Sequence, residues 1–214
     1  MTIRIENKLT QIPVEALELE ITSNSEYCDA VNIEEEASRI TSKYSSPEEI
    51  TGDPRVREYR RTLWSYRIDP TKTRPSPEAL LRRLVRGKSF PRVNCAVDMV
   101  NLASIEYITC IGLYDRRKLP LTDLKLGLST GHEVFYPLGG SEKRLPQGQP
   151  IMVSGKIVIH LYPSRDSRLF AVDKSSRSLV AIAYGYKGDE TTYLRDSLKR
   201  FEELLSLCGC LKEL

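Results

Sequence analysis

Three polar side chains recur every third residue in an otherwise apolar run. Asp98, Asn101 and Ser104 stand among Ala96, Val97, Val100, Leu102, Ala103, Ile105 and Tyr107. On a helix that spacing makes them neighbours on one face, and a helix apolar nearly all round is a buried one. Buried polar groups need partners, so the trio either pins a core or lines a pocket. Arg165 and Asp166 form a second candidate, a charged pair inside the run SRDS at 164–167. On residue types alone it is an ordinary loop pair. Gly139-Gly140 is a third. No Gly-Lys-Ser/Thr follows it, so it is not a phosphate-cradling P-loop and reads as a turn.

Other chemistry is thin. His132 and His160 are the only histidines, and neither has a metal or triad spacing; both read as surface or strand residues. Cys208-x-Cys210 lacks a second pair in sequence, and Cys95 and Cys110 flank the apolar helix as packing residues. The expectation is no metal and no cofactor, with any activity surviving EDTA. Five cysteines make an odd count without a framework spacing, which fits a reducing compartment.

Clear elements surround these residues. Ser76, Pro77 and Gly87 read as the cap, first turn and end of a helix with Leu80, Leu81, Leu84 and Val85 on its apolar stripe. Asn94 caps the apolar helix over 94–108, and a short strand over 111–115 follows. Before them, residues 1–53 hold two alternating strands and a helix opened by Asn32 with Glu35, with further helix starts at Ser46-Pro47 and Asp53-Pro54. After residue 121 the chain turns to short strands at Leu124–Leu128, 134–136, 151–153, 157–161, 169–172 and 179–184, and it ends in an amphipathic helix over 191–208. The pattern predicts an α+β fold: a mostly antiparallel sandwich or open barrel flanked by helices. One domain is expected, with 1–53 as an N-terminal elaboration, 54–188 as the core and 189–214 as the C-terminal helix.

The 214 residues supply one sizeable core and too little chain for two comfortable domains. No apolar run approaches the roughly 18–20 residues of a membrane helix. The opening MTIRIENKLT has no apolar signal region, so a cytoplasmic location is expected. A net charge of +3 does not itself announce nucleic acid. Its placement says more. Arg55, Arg57, Arg60, Arg61, Arg67, Lys72, Arg74, Arg82, Arg83, Arg86 and Lys88 form one long basic stretch, whereas acids gather at 34–36 and 48–49. Tyr59, Trp64 and Tyr66 lie among these arginines. Val56, Tyr59 and Leu63 read as the inward face of a helix whose charges are wet. A basic face over 55–92 suits a nucleic-acid phosphate backbone.

The string RPSPEALLRRL…GKSFPRVNCAVDMVNLASIEY…IGLYD closely resembles the B3/B4 domain of the phenylalanyl-tRNA synthetase beta subunit, and freestanding versions of it most of all. The likeness is dense over 59–115 and continues through PLGG at 137–140 and SRDS. In the synthetase this domain hydrolyses tRNA charged with the wrong amino acid. The resemblance places Asn101 on the asparagine of a VDxxN pattern and Gly139 and Gly140 on a glycine loop. It places Arg165, Asp166 and Ser167 where the synthetase keeps the acid that senses a tyrosine hydroxyl.

It implies Asn101, Arg165 and Asp166 as catalytic residues. Asn94, Ser104, Gly112, Tyr114, Gly139, Gly140 and Ser167 become substrate contacts, and Arg74, Arg82, Arg83, Arg86 and Lys88 become RNA contacts. Two departures stand out. Gly112 replaces a histidine of the synthetase, which is expected to enlarge the pocket or leave room for water unless Tyr114 or Tyr162 swings in to fill the gap, and Tyr162-Pro163-Ser164 replaces the Trp-Asn-Trp of freestanding relatives. Three functions fit: a trans-acting hydrolase of misacylated tRNA, a non-catalytic tRNA- or RNA-binding module, and a small-molecule binder on the same fold.

Overall fold

The strand at Ser178–Tyr184 sorts the molecule into layers. Leu179, Ala181 and Ala183 point to one side, into a core shared with helices. Val180, Ile182 and Tyr184 point to the other, into a core shared with a second sheet. Strand alternation produces this division, since successive side chains leave opposite faces.

The computed structural model describes residues 2–188 and 191–212. In chain order its elements are β1 (Arg4–Asn7), β2 (Val14–Glu20), α1 (Ile33–Thr41), α2 (Pro47–Gly52), α3 (Pro54–Ser65), α4 (Ser76–Val85) and α5 (Cys95–Tyr107). There follow β3 (Cys110–Asp115), β4 (Asp123–Leu128), β5 (Val134–Phe135), β6 (Lys143–Arg144), β7 (Pro150–Ser154), β8 (Ile157–Leu161), β9 (Arg165–Asp166), β10 (Ser178–Tyr184) and α6 (Thr192–Leu207). One sheet has the order β2-β10-β3, with both pairings antiparallel. The other has the order β1-β4-β7-β8-β9 and is antiparallel except for β1 beside β4. A hairpin of β5 and β6 covers a small third core of Phe135, Leu145, Ile151, Val158 and Leu161.

The architecture is the expected α+β class: two facing sheets, with helices packed on the outer face of the three-stranded one. Residues before 54 enter both sheets, because β1 pairs with β4 and β2 with β10. Among the described residues no helix is long and apolar enough to cross a membrane.

α5 is buried as its composition requires, with Cys95, Ala96, Met99, Val100, Leu102, Ala103 and Ile105 in the helical core. Each such leucine or isoleucine contributes about 1.5–3 kcal/mol by leaving water. α4 is anchored from the side. Glu78, 0% exposed, accepts Arg60 Nη2 at 2.6 Å and Nε at 3.0 Å, with the Arg60 side chain 19% exposed.

Several local expectations are corrected. Ser76 is the first helical residue and not the cap; its N–H is taken by the Pro163 carbonyl at 3.1 Å, so Pro75 stands at the boundary. Residues 169–172 do not form a strand. Arg168–Phe170 is a 3-10 turn, closed where the Leu169 N–H meets Ser167 Oγ at 3.4 Å. Five free thiols are not found either: Cys28 and Cys208 form a disulfide across 180 residues of chain. The C-terminal helix runs over Thr192–Leu207, and positions 189, 190, 213 and 214 of the expected segment lie outside the described residues.

Candidate functional site

Asn94 fixes where α5 begins, its Oδ1 accepting the Val97 N–H at 3.1 Å. From that start the helix carries Asn101 and Ser104 into the wall of a cavity of about 630 Å³. α4 supplies Ser76, Ala79, Leu80 and Arg83, and Ile111 comes from β3. The loops add Leu138, Gly139, Ser164, Arg165 and Asp166. Asp98, the third polar residue of the trio, turns elsewhere. It is fully buried, accepting Arg92 Nε at 2.7 Å and the Val93 N–H at 2.9 Å. The trio therefore divides: Asp98 pins the entry to α5, and the other two face the cavity.

The two loops are tied to each other. The Leu138 N–H reaches the Asp166 carbonyl at 3.1 Å, Pro137 bridges Ser167, and Arg168 Nη1 holds the Gly140 carbonyl at 3.1 Å. Gly139 and Gly140 both have positive φ, +75° and +93°, a conformation that glycine reaches without steric cost.

Asp166 is the centre of a hydrogen-bond network. Its Oδ1 accepts the Tyr114 hydroxyl at 2.7 Å and faces His160 Nδ1 at 2.7 Å. Its Oδ2 accepts the Leu113 N–H at 3.3 Å. Burial, then the nearby Asp166 charge, pushes the Tyr114 phenol well above its ordinary pKa. Burial does the same to Tyr184. Both phenols therefore keep their protons. Since Tyr114 donates to Asp166, Tyr184 donates to Tyr114 across 3.2 Å. His160 is 3% exposed and stacks on the Tyr184 ring at 4.2 Å. A carboxylate has about four acceptor positions, so three inward bonds leave one lone pair on Oδ2 for the cavity. Asn101 makes no side-chain hydrogen bond among the described residues, and Ser104 Oγ donates to the Thr109 carbonyl at 2.7 Å, keeping its lone pairs. The floor is thus a held carboxylate, and the wall offers an amide and a hydroxyl oxygen.

The rim is cationic. A second hollow of about 320 Å³ shares Ser76, Ala79, Ser164 and Arg165 with the first and adds Lys72, Arg74 and Lys143. Partial desolvation, and then the Arg165 charge, pushes Lys143 below the ordinary lysine value. A third hollow, of about 460 Å³, is lined by Glu18, Glu20 and Glu202 with Lys212 as its one cation. A polyanion is drawn to the first pair and repelled by the third.

The expected site residues separate on this geometry. Asn101, Ser104, Gly139, Arg165 and Asp166 meet at the cavity with Arg83, and Arg74 borders the adjoining hollow. Asn94 is buried and capping. Ser167 is buried and closes the 3-10 turn. Tyr114 supports Asp166 from behind. Gly140 serves the loop through Arg168. Arg86 and Lys88 are exposed past the end of α4 and do not line the cavity.

Arg82, expected as an RNA contact, is turned into the fold. Its side chain is 13% exposed, and Nη1 donates to the Pro47 carbonyl at 2.6 Å and Thr51 Oγ1 at 3.0 Å, holding α2 to α4. Much of the rest of the basic stretch is also used internally. Arg60 is on Glu78, Arg55 on the Tyr107 carbonyl and Arg92 on Asp98. Lys143 and His160 were missed. The first sits on a distant hairpin. The second reads as a plain strand residue until β9 sets Asp166 opposite it, a pairing no local spacing announces.

Gly112 does not enlarge the pocket. The Tyr114 phenol folds back over it, and a Cβ there would collide with the Tyr114 hydroxyl and lie 2.7 Å from both Tyr114 Cζ and Asp166 Oδ1. Glycine is needed for the phenol to reach the carboxylate. Gly112→Ala is expected to destabilise the fold by about 1–3 kcal/mol through overpacking, read as a lower thermal midpoint. An unchanged midpoint would mean the phenol has somewhere else to go.

The B3/4 domain family matches residues 58–206, and the chain belongs to that family. Among solved structures it is similar to an N-terminal fragment of the phenylalanyl-tRNA synthetase beta-subunit from Pyrococcus horikoshii, at 17% identity and a TM-score of 0.45. That similarity covers 54% of this chain and 41% of the fragment. No curated protein matches the chain.

Proposed function

We propose that the chain is a trans-acting hydrolase of misacylated tRNA, acting as a single B3/4-type unit in which residues before 54 are built into both sheets. The observation that carries the reading is the pairing of a held carboxylate floor, Asp166, with a cationic rim of Arg83, Arg165, Lys143, Arg74 and Lys72. An aminoacyl-tRNA end has the complementary charges: an α-ammonium on the amino acid and phosphates behind it. In this reading the free Oδ2 lone pair takes the ammonium, and the rim takes the phosphates. Asn101 holds the ester carbonyl or the attacking water. Water adds to the carbonyl carbon, the bond to the ribose oxygen breaks, and that oxygen leaves with a proton. The products are a free amino acid and uncharged tRNA. Positioning and electrostatics are enough for an ester of this kind. A separate site of this type is useful because a pocket built for one side chain rejects an analogue with an added hydroxyl only about a hundredfold.

The test is release of amino acid from a panel of mischarged tRNAs. Release above the buffer rate, slowed about tenfold or more by Asn101→Ala, supports the proposal. Tight, salt-sensitive tRNA binding without release favours a non-catalytic binding module, a reading that the basic rim alone would also support. No tRNA binding leaves the small-molecule reading.

The rim makes its own prediction. Arg83→Ala with Lys143→Ala should reduce the slope of log affinity against log salt by about 2, roughly one per lost phosphate contact. Arg82→Ala should leave the slope alone and lower thermal stability, because it unpins α2. The opposite outcome would return Arg82 to the RNA face.

A further inference from the structure

Four of the five cysteines converge, from three separate stretches of chain. Cys28 lies in the loop before α1, Cys95 is the first residue of α5, and Cys208 and Cys210 follow α6. The sulfurs of Cys28, Cys95 and Cys208 all lie within 4.8 Å of one another. Cys210 Sγ lies 3.4 Å from Cys95 Sγ. Gly209 between the last two has φ +62°, and this left-handed turn brings both of its neighbours back toward α5. Cys95 and Cys210 are almost fully buried, at 0% and 2% exposure.

We infer that, with the Cys28–Cys208 disulfide reduced, these four sulfurs form a binding site for a soft, tetrahedral divalent cation, zinc above all. A zinc ion holds thiolates at about 2.3 Å, so its four sulfurs stand about 3.8 Å apart. Three of the sulfurs lie within 4.8 Å of one another and the fourth 3.4 Å from Cys95, and opening the disulfide frees Cys28 and Cys208 to rotate toward tetrahedral spacing. Ser23 Oγ donates to Cys210 Sγ at 3.8 Å, the kind of outer contact that orients a ligating sulfur. The cation would tie the loop before α1, the start of α5 and the C-terminal turn together, at the end of the helix that carries Asn101. None of the four cysteines lines the cavity, so the site is structural.

A bound cation takes the place of the protons on its thiol ligands. The sequence shows no second pair for Cys208-x-Cys210; the fold supplies one from Cys28 and Cys95. The steps balance. A phosphine reductant gives two electrons to the disulfide and becomes the phosphine oxide, with water supplying its oxygen and the two thiol protons. Zinc then displaces four thiol protons.

The experiment titrates the full, phosphine-reduced chain with Co²⁺ and follows the absorption of tetrahedral cobalt thiolate, then displaces cobalt with Zn²⁺. One cobalt per chain with that absorption is expected, lost in Cys95→Ser and in Cys210→Ser and retained in Cys110→Ser, whose sulfur lies in the other core. Absence of the absorption, or its persistence unchanged in both cluster variants, overturns the site. Should the serine variants fail to fold, native mass spectrometry of the reduced wild-type chain decides. One zinc per chain supports the inference, and a metal-free chain in the presence of zinc overturns it.

Discussion

Asp166→Asn should lower the rate of aminoacyl release by about 100-fold or more while leaving tRNA affinity nearly unchanged. The carboxylate is held from behind by the Tyr114 hydroxyl, His160 Nδ1 and the Leu113 N–H. These bonds aim its remaining lone pair at the cavity. An asparagine accepts on only one of its two terminal atoms. If its oxygen stays with Tyr114 and His160, its NH₂ faces both the Leu113 N–H and the ligand's ammonium. Donor then meets donor, and the charge that drew the ammonium is gone. The same change removes charge-assisted bonds worth about 1.5–3 kcal/mol each, so a lower thermal midpoint should accompany the loss of rate. In the proposed reading the phosphates are held on the rim, so binding should persist. An Asp166→Asn protein that releases amino acid at the wild-type rate would remove Asp166 from the chemistry. Equal loss of rate and affinity would recast it as part of a binding surface alone.

The largest stability effect should come from Arg60→Met. Glu78 is fully buried, and Arg60 makes its close hydrogen-bonded ion pair; Arg74 stands 3.9 Å away and 43% exposed. Removing one partner of a buried pair leaves an uncompensated charge, at a cost of about 3–5 kcal/mol. For a chain of this length the thermal midpoint should fall by roughly 6–20 °C. α4 would loosen from α3, and with it the wall formed by Ala79, Leu80 and Arg83. The double change Arg60→Met with Glu78→Leu should recover most of the loss, since apolar replacement of a whole buried pair is often neutral. A single-variant loss below about 1 kcal/mol would mean that water or Arg74 compensates Glu78.

Local signals carried much of this fold. Asn32 caps α1, its Oδ1 accepting the Glu35 N–H at 3.3 Å while its side-chain Nδ2 donates to Glu35 Oε2 at 3.1 Å in place of the backbone bond of a capping box, and Asn94 caps α5. Those bonds span three residues, so sequence shows them. The alternation of Leu124 and Leu126 in β4 and the apolar face of α6 were legible for the same reason. Long-range competition was not. Ser76 has the chemistry of a cap, but a carbonyl from residue 163 takes its N–H. Arg82 resembles its basic neighbours until α2 presents Pro47 and Thr51 to it. At Gly112 the residue types left open whether the gap stays empty or a tyrosine fills it, and the fold-back of Tyr114 onto Asp166, more than fifty residues away, decides it. The cavity followed the same rule. Asn101 and Ser104 were visible through helical spacing, whereas His160 meets Asp166 only when β8 and β9 close a short antiparallel pair, and Lys143 joins the rim only with the β5–β6 hairpin in place.

The most direct test of the central claim is a single-turnover measurement, with protein in excess over mischarged tRNA, comparing the wild-type chain with Ala79→Trp. Ala79 is exposed and lines both the cavity and its basic neighbour, so an indole there fills the space without disturbing a core. The wild-type chain should release amino acid well above the buffer rate from at least one mischarged tRNA. Ala79→Trp should release none above buffer while its thermal midpoint stays unchanged. Release at the buffer rate by the wild type across the panel, or undiminished release with the cavity filled, would contradict hydrolysis at this site.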